Sequence, residues 1–122
     1  MLMIAAIRRG IPFPLFEMIQ AVSPFSEQDW AEILQLSAKS LQRYKQEEGF
    51  RFKRLQSEKI VEMAEVAQIG LEFFGDMERF KLWLNTPNYA MGNIRPIELL
   101  RDSYGKALVV AELTRATHGI FV

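Results

Sequence analysis

Cysteine is absent from the 122-residue sequence, and His118 is its only histidine. One chain therefore holds no disulfide, no thiolate metal site, no His-dependent catalytic triad and no multi-histidine metal centre. The seven glycines are dispersed rather than gathered in a phosphate-binding loop. The carboxylate pairs Glu47–Glu48 and Glu62–Glu65 are typical of solvated helix faces. We therefore expect a protein that is not an enzyme and takes no cofactor or small-molecule substrate.

The sequence also lacks a long hydrophobic run. Residues 1–7 are apolar, but this stretch is too short for a secretory signal and far too short to span a bilayer. The absence of cysteine fits a reducing compartment. We expect a cytoplasmic protein without a membrane partner.

Neither sign of charge is in excess, because 15 basic residues balance 15 acidic ones. The balance is uneven along the chain. Residues 39–59 hold seven basic and three acidic side chains, so this segment carries +4 and the remainder carries −4. A neutral total argues against a wholly electrostatic nucleic-acid binder, whereas a basic middle segment fits local contact with an anionic partner.

Apolar residues make up 49% of the chain and charged residues 25%, which is ordinary for a folded globular protein. No segment shows the sustained alternation of apolar and polar residues that half-buried strands require. The apolar positions recur instead at helical spacing. We predict an all-α fold without internal repeats.

The first ten residues show no helical period, and we interpret residues 1–9 as an N-terminal arm. A helix follows the segment Gly10–Pro14, since proline is tolerated in a first helical turn. The spacing i, i+3, i+4, i+7 predicts one buried stripe on this helix. The stripe consists of Leu15, Met18, Ile19 and Val22.

Two short helices with side-chain caps come next. Ser26 and Asp29 have the spacing of a capping box. The predicted buried residues of this helix are Trp30, Ile33 and Leu34. Ser37 then caps a second helix, from Ala38 to about Glu47. Two helices joined by a tight turn, with a basic outward face on the second, are typical of a helix-turn-helix.

A long helix and a short one follow. Ser57 is the predicted cap of the long helix, which extends to about Phe74. Asp76 is the predicted cap of the next helix, Met77 to about Asn85.

The last third of the chain is predicted to hold two more helices. Pro96 opens a short helix over Ile97–Leu100, and a final helix runs from Ser103 or Tyr104 to Thr117. The predicted inward-facing residues of the final helix are Ala107, Leu108, Ala111 and either Thr114 or Arg115.

Polar and basic side chains occupy the helix that follows Ser37. Hydroxyl, amide and guanidinium groups can meet base edges, while lysines and arginines can meet phosphates. The candidate DNA-binding residues are Ser37, Lys39, Ser40, Gln42, Arg43 and Lys45, with Arg51, Lys53 and Arg54 as further phosphate contacts. The alternative is a solvated helix face and a charged loop, and residue types alone leave both open. Because the net charge is zero, DNA binding would need two copies, as in dimeric readers of paired half-sites.

The chain ends on Ile120, Phe121 and Val122, after the helix-stopping Gly119. Burying such side chains is worth about 1.5–3 kcal/mol each. They either fold back onto this protein or enter a pocket of a partner, and the sequence leaves both alternatives open.

Eight segments match a known pattern in order and spacing. They are Gly10–Pro12, Leu36–Arg43, Phe74–Asp76, Trp83–Asn88, Ala90–Gly92, Pro96–Leu100, Gly105 and Gly119–Phe121. Together they resemble the Xre/MbcA/ParS-type antitoxins, the partners of RES-domain toxins in bacterial type II toxin–antitoxin systems. The similarity covers nearly the whole chain from Gly10. Two stretches depart from the pattern, because residues 48–52 are more aromatic and residues 1–9 have no counterpart.

The resemblance implies a DNA-binding half that represses its own operon as a dimer, and a C-terminal half that occludes the active site of the toxin. Toxins of this family consume NAD, so NAD is implied as the substrate of the toxin and not as a cofactor of this chain. The candidate toxin-binding residues are Asn93, Arg95, Arg115, Thr117, His118, Ile120, Phe121 and Val122.

We therefore predict an antitoxin that binds a RES-domain toxin and, as a homodimer, operator DNA. Its helix-turn-helix half is expected at residues 10–68 and its toxin-binding half at residues 69–122, with a shared core. The alternative is a free-standing helix-turn-helix regulator whose C-terminal half serves only for dimerisation.

Overall fold

The structure is a computed structural model that describes residues 2–117, with the side chains of residues 4–115. Over this range the chain is helical and forms no strand, which confirms the all-α prediction. The α-helices are α1 (Leu2–Arg9), α2 (Phe13–Ala21), α3 (Glu27–Leu34), α4 (Ala38–Gln46), α5 (Arg54–Phe74), α6 (Met77–Leu84), α7 (Pro96–Leu99) and α8 (Ser103–Thr117), with a 3-10 turn at Tyr89–Met91. The chain divides within α5 into two compact units, Met1–Glu65 and Val66–Val122.

The first unit is built around a cluster of aromatic rings. The ring of Phe16 lies 5.0 Å from that of Trp30 and 5.1 Å from that of Phe52, in edge-to-face arrangements. Phe25 packs on the other side of Trp30 at 5.4 Å, and Phe13 stacks on Phe52 at 5.7 Å. The aromatic connector at residues 48–52 thus supplies Phe52 to the centre of this core.

Helices α3 and α4 begin as their side chains predict. The Ser26 hydroxyl accepts a hydrogen bond from the Asp29 N–H at 3.0 Å, and the Asp29 carboxylate accepts one from the Ser26 N–H at 2.9 Å. This reciprocal pair confirms the capping box. The three predicted core residues of α3 are buried, namely Trp30, Ile33 and Leu34.

The predicted buried stripe of α2 is wrong. Met18 is 67% exposed and Val22 is 69% exposed, whereas Phe13 and Phe16 are buried. The physical reason is size, because an aromatic ring buries about 150–250 Å² and two of them outweigh a stripe of aliphatic side chains. The helix therefore turns its phenylalanines toward Trp30 and Phe52.

The interpretation of residues 1–9 as a non-helical arm is also wrong, because Leu2–Arg9 forms α1. The segment contains no glycine or proline before Gly10, so nothing in it interrupts a helix. Gly10 ends α1 with a φ of 88°, and its N–H donates to the Ile7 carbonyl at 3.3 Å. Such a left-handed glycine is a common helix C-terminus.

A short antiparallel contact joins the end of α1 to the start of α5. The Phe52 N–H donates to the Ile11 carbonyl at 2.9 Å, and the Ile11 N–H donates to the Ser57 hydroxyl at 2.9 Å. Ser57 is fully buried and donates in turn to the Phe52 carbonyl at 3.3 Å. Its predicted role as a helix cap is therefore wrong, since α5 begins earlier, at Arg54.

In the second unit, Asp76 caps α6 as predicted, because its carboxylate accepts a hydrogen bond from the Arg79 N–H at 2.8 Å. Phe80 and Leu84 are fully buried. The Asp102 carboxylate accepts a hydrogen bond from the Gly105 N–H at 2.7 Å at the start of α8. A Cβ atom at Gly105 would collide with the Leu99 backbone, so this glycine lets α8 approach α7 closely.

The predicted inward face of α8 is wrong as well. Val109 and Leu113 are buried, whereas Ala107, Ala111 and Arg115 are exposed, as are Leu108 and Thr114. The reason is that α8 carries apolar side chains on all sides, so its spacing fits more than one buried face. Val109 and Leu113, four residues apart, form the face that packs in the core.

Candidate binding surfaces

The first turn of α4 is held by two hydroxyl groups. The Ser40 N–H donates to the Ser37 hydroxyl at 3.0 Å, which confirms Ser37 as the cap of α4. The Ser37 hydroxyl also lies 3.0 Å from the Ser40 hydroxyl. These two candidate DNA-binding residues thus begin the helix, and their hydroxyls already form hydrogen bonds within it.

Beyond this turn, α4 presents a polar strip to solvent, which we call the α4 strip. It consists of Lys39, Gln42, Arg43 and Gln46, all exposed and spaced as i, i+3, i+4 and i+7. Leu41 is buried and Tyr44 is half-buried on the opposite side. Gln46 was missed in the sequence analysis, although its spacing from Lys39 identifies the same face. Arg43 lies with its guanidinium 5.3 Å from the centre of the Tyr44 ring.

Lys45 does not join the α4 strip. Its ammonium group lies 3.5 Å from the Glu17 carboxylate of α2, and both side chains are largely exposed. At 3.6 residues per turn, Lys45 points away from Arg43, toward α2. A crevice of about 50 Å³ next to this pair is lined by Phe13, Leu41 and their neighbours. That volume suits a water molecule or two rather than an organic ligand.

The basic connector between α4 and α5 begins against α4 and continues to α1. Phe50 stacks on Tyr44 with ring centres 4.1 Å apart. The next residue, Arg51, donates from Nη1 to the Gly10 carbonyl at 2.8 Å. Lys53 and Arg54 are exposed. Three of the predicted phosphate contacts therefore lie together, beside the end of α1.

In the second unit, Asn93 and Arg95 lie in a loop with a defined shape. Asn93 adopts a φ of 62°, and its N–H donates to the Asn88 carbonyl at 2.8 Å. The Asn88 side chain accepts from the Ala90 N–H at 2.9 Å. Arg95 is half-buried and pairs with Glu98 at 3.1 Å. The loop therefore holds both candidates in fixed positions at the start of α7.

Helix α8 exposes a strip of mixed character, which we call the α8 strip. It consists of Tyr104, Leu108, Ala111 and Arg115, at successive spacings of four, three and four residues. Tyr104 is 89% exposed and Leu108 is 56% exposed. Arg115 forms an ion pair with Glu112 at 2.9 Å. The side chain of Thr117 and the candidates His118, Ile120, Phe121 and Val122 lie outside the described residues, as does Gly119.

Among the residues that the structure describes, no group of three or more His, Cys, Asp or Glu side chains is placed to hold a metal ion. None of the helices in the described part of the chain is long and apolar enough to cross a membrane.

Comparison with known proteins gives two family matches and a structural match. Residues 2–65 match the antitoxin Xre-like helix-turn-helix domain, so residues 2–9 do have a counterpart in the family. Residues 70–119 match the antitoxin Xre/MbcA/ParS C-terminal toxin-binding domain. No curated protein matches in sequence.

One structural match is a chain of the crystal structure of the M. tuberculosis MbcT–MbcA toxin–antitoxin complex. It has a TM-score of 0.67 and 21% sequence identity, and covers 88% of this chain and 97% of that chain. The two proteins therefore share a fold. With both domains matched in order along one polypeptide, the chain belongs to the Xre/MbcA/ParS family of toxin–antitoxin antitoxins.

Proposed function

We propose that this chain neutralises a RES-domain, NAD-consuming toxin by covering its active site with the second unit, and represses its own operon by binding DNA through α4. It acts as a cytoplasmic homodimer and catalyses no reaction. The observation that carries the proposal is that one polypeptide joins an Xre-like helix-turn-helix domain to a toxin-binding domain. NAD is the substrate of the toxin and not a ligand of this chain.

The α4 strip supports the DNA-binding half of the proposal. Its amide and guanidinium groups match the donor and acceptor pattern of base edges in the major groove, where Gln pairs with adenine and Arg with guanine. The strip contains no acidic residue, so a phosphate backbone can approach it without like-charge repulsion. Since the whole chain is neutral, two copies on paired half-sites supply the affinity that one copy lacks.

The α8 strip supports the toxin-binding half. Tyr104 and Leu108 expose apolar surface on a helix whose other face is already buried in the second unit. Exposed apolar groups beside an arginine have the composition of a protein–protein contact. The strip ends at Arg115, next to Thr117 and the candidates that follow it. We propose that the toxin contacts α8 from Tyr104 onward as well as the last residues of the chain.

Deletion of residues 117–122 tests the toxin-binding half. The shortened chain and the full chain are each co-expressed with the RES-domain toxin of the neighbouring gene, and cell growth and intracellular NAD are measured. We expect the shortened chain to lose protection, because the residues that enter the active site of the toxin are gone. Circular dichroism and operator binding serve as controls, and both are expected to stay at the level of the full chain.

The result also separates the proposal from the free-standing regulator. Protection that is unchanged by the deletion contradicts the role of the terminal residues. If neither the full chain nor the shortened chain protects or binds the toxin, and both bind operator DNA as dimers, the second unit is a dimerisation module.

A further inference from the structure

The structure assigns a DNA-backbone contact to the place where α1 meets the start of α5, and we propose that Arg8 and Arg9 are part of it. We call this surface the junction patch. It consists of Arg8, Arg9, Arg51, Lys53 and Arg54. The inference rests on the proposed DNA binding through α4 and adds a second contact element, α1, which the sequence analysis left without a role.

The two halves of the junction patch are far apart in sequence and joined by backbone contacts. The Phe52 N–H donates to the Ile11 carbonyl, and Pro12 and Arg51 form an antiparallel bridge. Arg51 donates to the carbonyl of Gly10, the residue that follows Arg9. The last turn of α1 and the first residue of α5 are thereby fixed side by side, with their cationic side chains exposed.

Four cations of the junction patch lack the acidic partners that Lys45 and Lys59 have. Lys45 pairs with Glu17, and Lys59 lies 3.8 Å from Glu62. Within the described residues, no carboxylate lies within ion-pair distance of Arg8, Arg9, Lys53 or Arg54. The first unit has nine basic and nine acidic residues and is therefore neutral overall. The patch arises because basic side chains gather in one place, and not because the unit has more basic than acidic residues.

The helix dipole makes the arrangement unfavourable at the start of α5, although it favours Arg8 and Arg9 in the last turn of α1. The N-terminus of a helix carries a partial positive charge and favours acidic side chains. The first turn of α5 has no acidic residue and starts with Arg54. Like charges gathered within one Debye length, about 8–10 Å, repel one another. A polyanion that lies across the patch removes this repulsion and releases its own counterions.

The position of the junction patch favours DNA over other polyanions. Phe50, which stacks on the α4 residue Tyr44, immediately precedes Arg51, so the patch begins beside the C-terminal end of α4. With nine residues, α4 is roughly 14 Å long, and the major groove is about 12 Å wide. The patch begins on the Tyr44 side of α4 and not on the side of the α4 strip. We infer that, when the strip lies in the groove, the patch contacts phosphates beyond the C-terminal end of α4.

The test uses the full chain and a fluorescein-labelled, random-sequence 30-base-pair DNA duplex, because backbone contacts do not depend on sequence. Fluorescence anisotropy gives the dissociation constant between 50 and 300 mM KCl. The variant carries Arg8→Gln and Arg9→Gln. The matched control carries Arg79→Gln and Lys81→Gln, which remove two exposed cations from the second unit.

We expect the Arg8/Arg9 variant to bind on the order of tenfold more weakly at 100 mM KCl than the control does. The plot of log K against log salt should be less steep by about 2 for each copy of the chain on the duplex, since each lost phosphate contact removes roughly 0.9 from the slope. Circular dichroism and thermal midpoints are expected to match for both variants, because all four side chains are on the surface.

Two results would overturn the inference while leaving the proposed function intact. In the first, the Arg8/Arg9 variant and the control have equal affinities and salt slopes. In the second, the loss appears only on vesicles with 30% phosphatidylserine, and the patch is then a lipid contact. A wild-type chain that binds no duplex at any salt concentration, operator DNA included, contradicts the DNA-binding half of the proposed function and the patch together.

Discussion

Gly10 and Gly49 show at the scale of single residues how the surroundings decide the role of a glycine. Both have a left-handed backbone, with φ of 88° and 75°. A Cβ atom at Gly10 would run into the Phe52 carbonyl oxygen, whereas one at Gly49 would meet nothing within 4 Å. Only Gly10 therefore owes its identity to packing as well as to backbone conformation.

This difference yields a prediction on stability. We expect Gly49→Ala to lower the free energy of unfolding by about 1 kcal/mol, the ordinary cost of a left-handed alanine. Gly10→Ala is expected to cost at least about 2 kcal/mol more, because the contact between residues 10–12 and 51–52 has to open. Urea denaturation followed by circular dichroism measures both values, and equal losses would contradict the packing role of Gly10.

Local signals at this scale were predictable from sequence, and distant ones were not. Ser26, Ser37 and Asp76 cap helices through hydrogen bonds to residues three positions away, so their spacing in the chain identifies them. Ser57 is a serine like Ser26 and Ser37, and it lies near the start of a helix. Its hydroxyl instead accepts from Ile11, 46 residues away, and no local pattern indicates that partner.

At the scale of secondary-structure elements, the presence of helices was easier to predict than their orientation. Periodicity and caps predicted all but α1, which was missed because its apolar run has no polar face. The faces of α2 and α8 were assigned wrongly because both helices carry apolar side chains on more than one side. On α2 the aromatic rings decide the face, and on α8 the close packing at Gly105 brings Val109 and Leu113 inward.

The orientation of α8 can be tested with one pair of substitutions. Leu108→Glu is expected to leave the unfolding free energy within about 0.5 kcal/mol of wild type, because the side chain is exposed. Leu113→Ala is expected to cost about 2–5 kcal/mol, because Leu113 is buried.

The two substitutions are expected to affect toxin binding in the opposite order to their effects on stability. Leu108→Glu should weaken toxin binding, measured by calorimetry, since it places a charge in the α8 strip. Leu113→Ala should retain toxin binding at temperatures where the chain stays folded. Toxin binding that is unaffected by Leu108→Glu would remove α8 from the toxin contact.

For the whole molecule, the candidate site was predictable in outline because its parts are short motifs. The resemblance indicated two functional halves, and both family matches agree with that assignment. The grouping of Arg8 and Arg9 with Arg51 was not predictable, because it depends on backbone contacts between segments about 40 residues apart. Charge along the sequence is therefore a poor guide to charge on the surface.

If DNA binding and toxin binding lie in separate units, as proposed, one substitution should separate them. Arg43→Ala is expected to weaken operator binding by about 1–3 kcal/mol, the usual loss for a base-contacting arginine. Protection against the toxin should be unchanged, because Arg43 is an exposed residue of α4 in the first unit. Electrophoretic mobility shift and growth assays on the same variant measure the two effects. A parallel loss of both functions would indicate misfolding and not a base contact.

The hydrogen bond between Ile11 and Ser57 also sets an order of events during protein synthesis. Closing a loop of 46 residues costs about 3 kcal/mol of chain entropy. The contacts of Gly10–Pro12 can offset this cost only after residues 51–57 have been synthesised. At roughly 5–20 residues per second, translation reaches Ser57 about 2–9 s after Ile11. During that interval the Ile11 N–H and carbonyl, between α1 and α2, lack the partners that Ser57 and Phe52 supply. We therefore expect the rate of translation, and not the intrinsic rate of helix formation, to limit how fast the first unit folds.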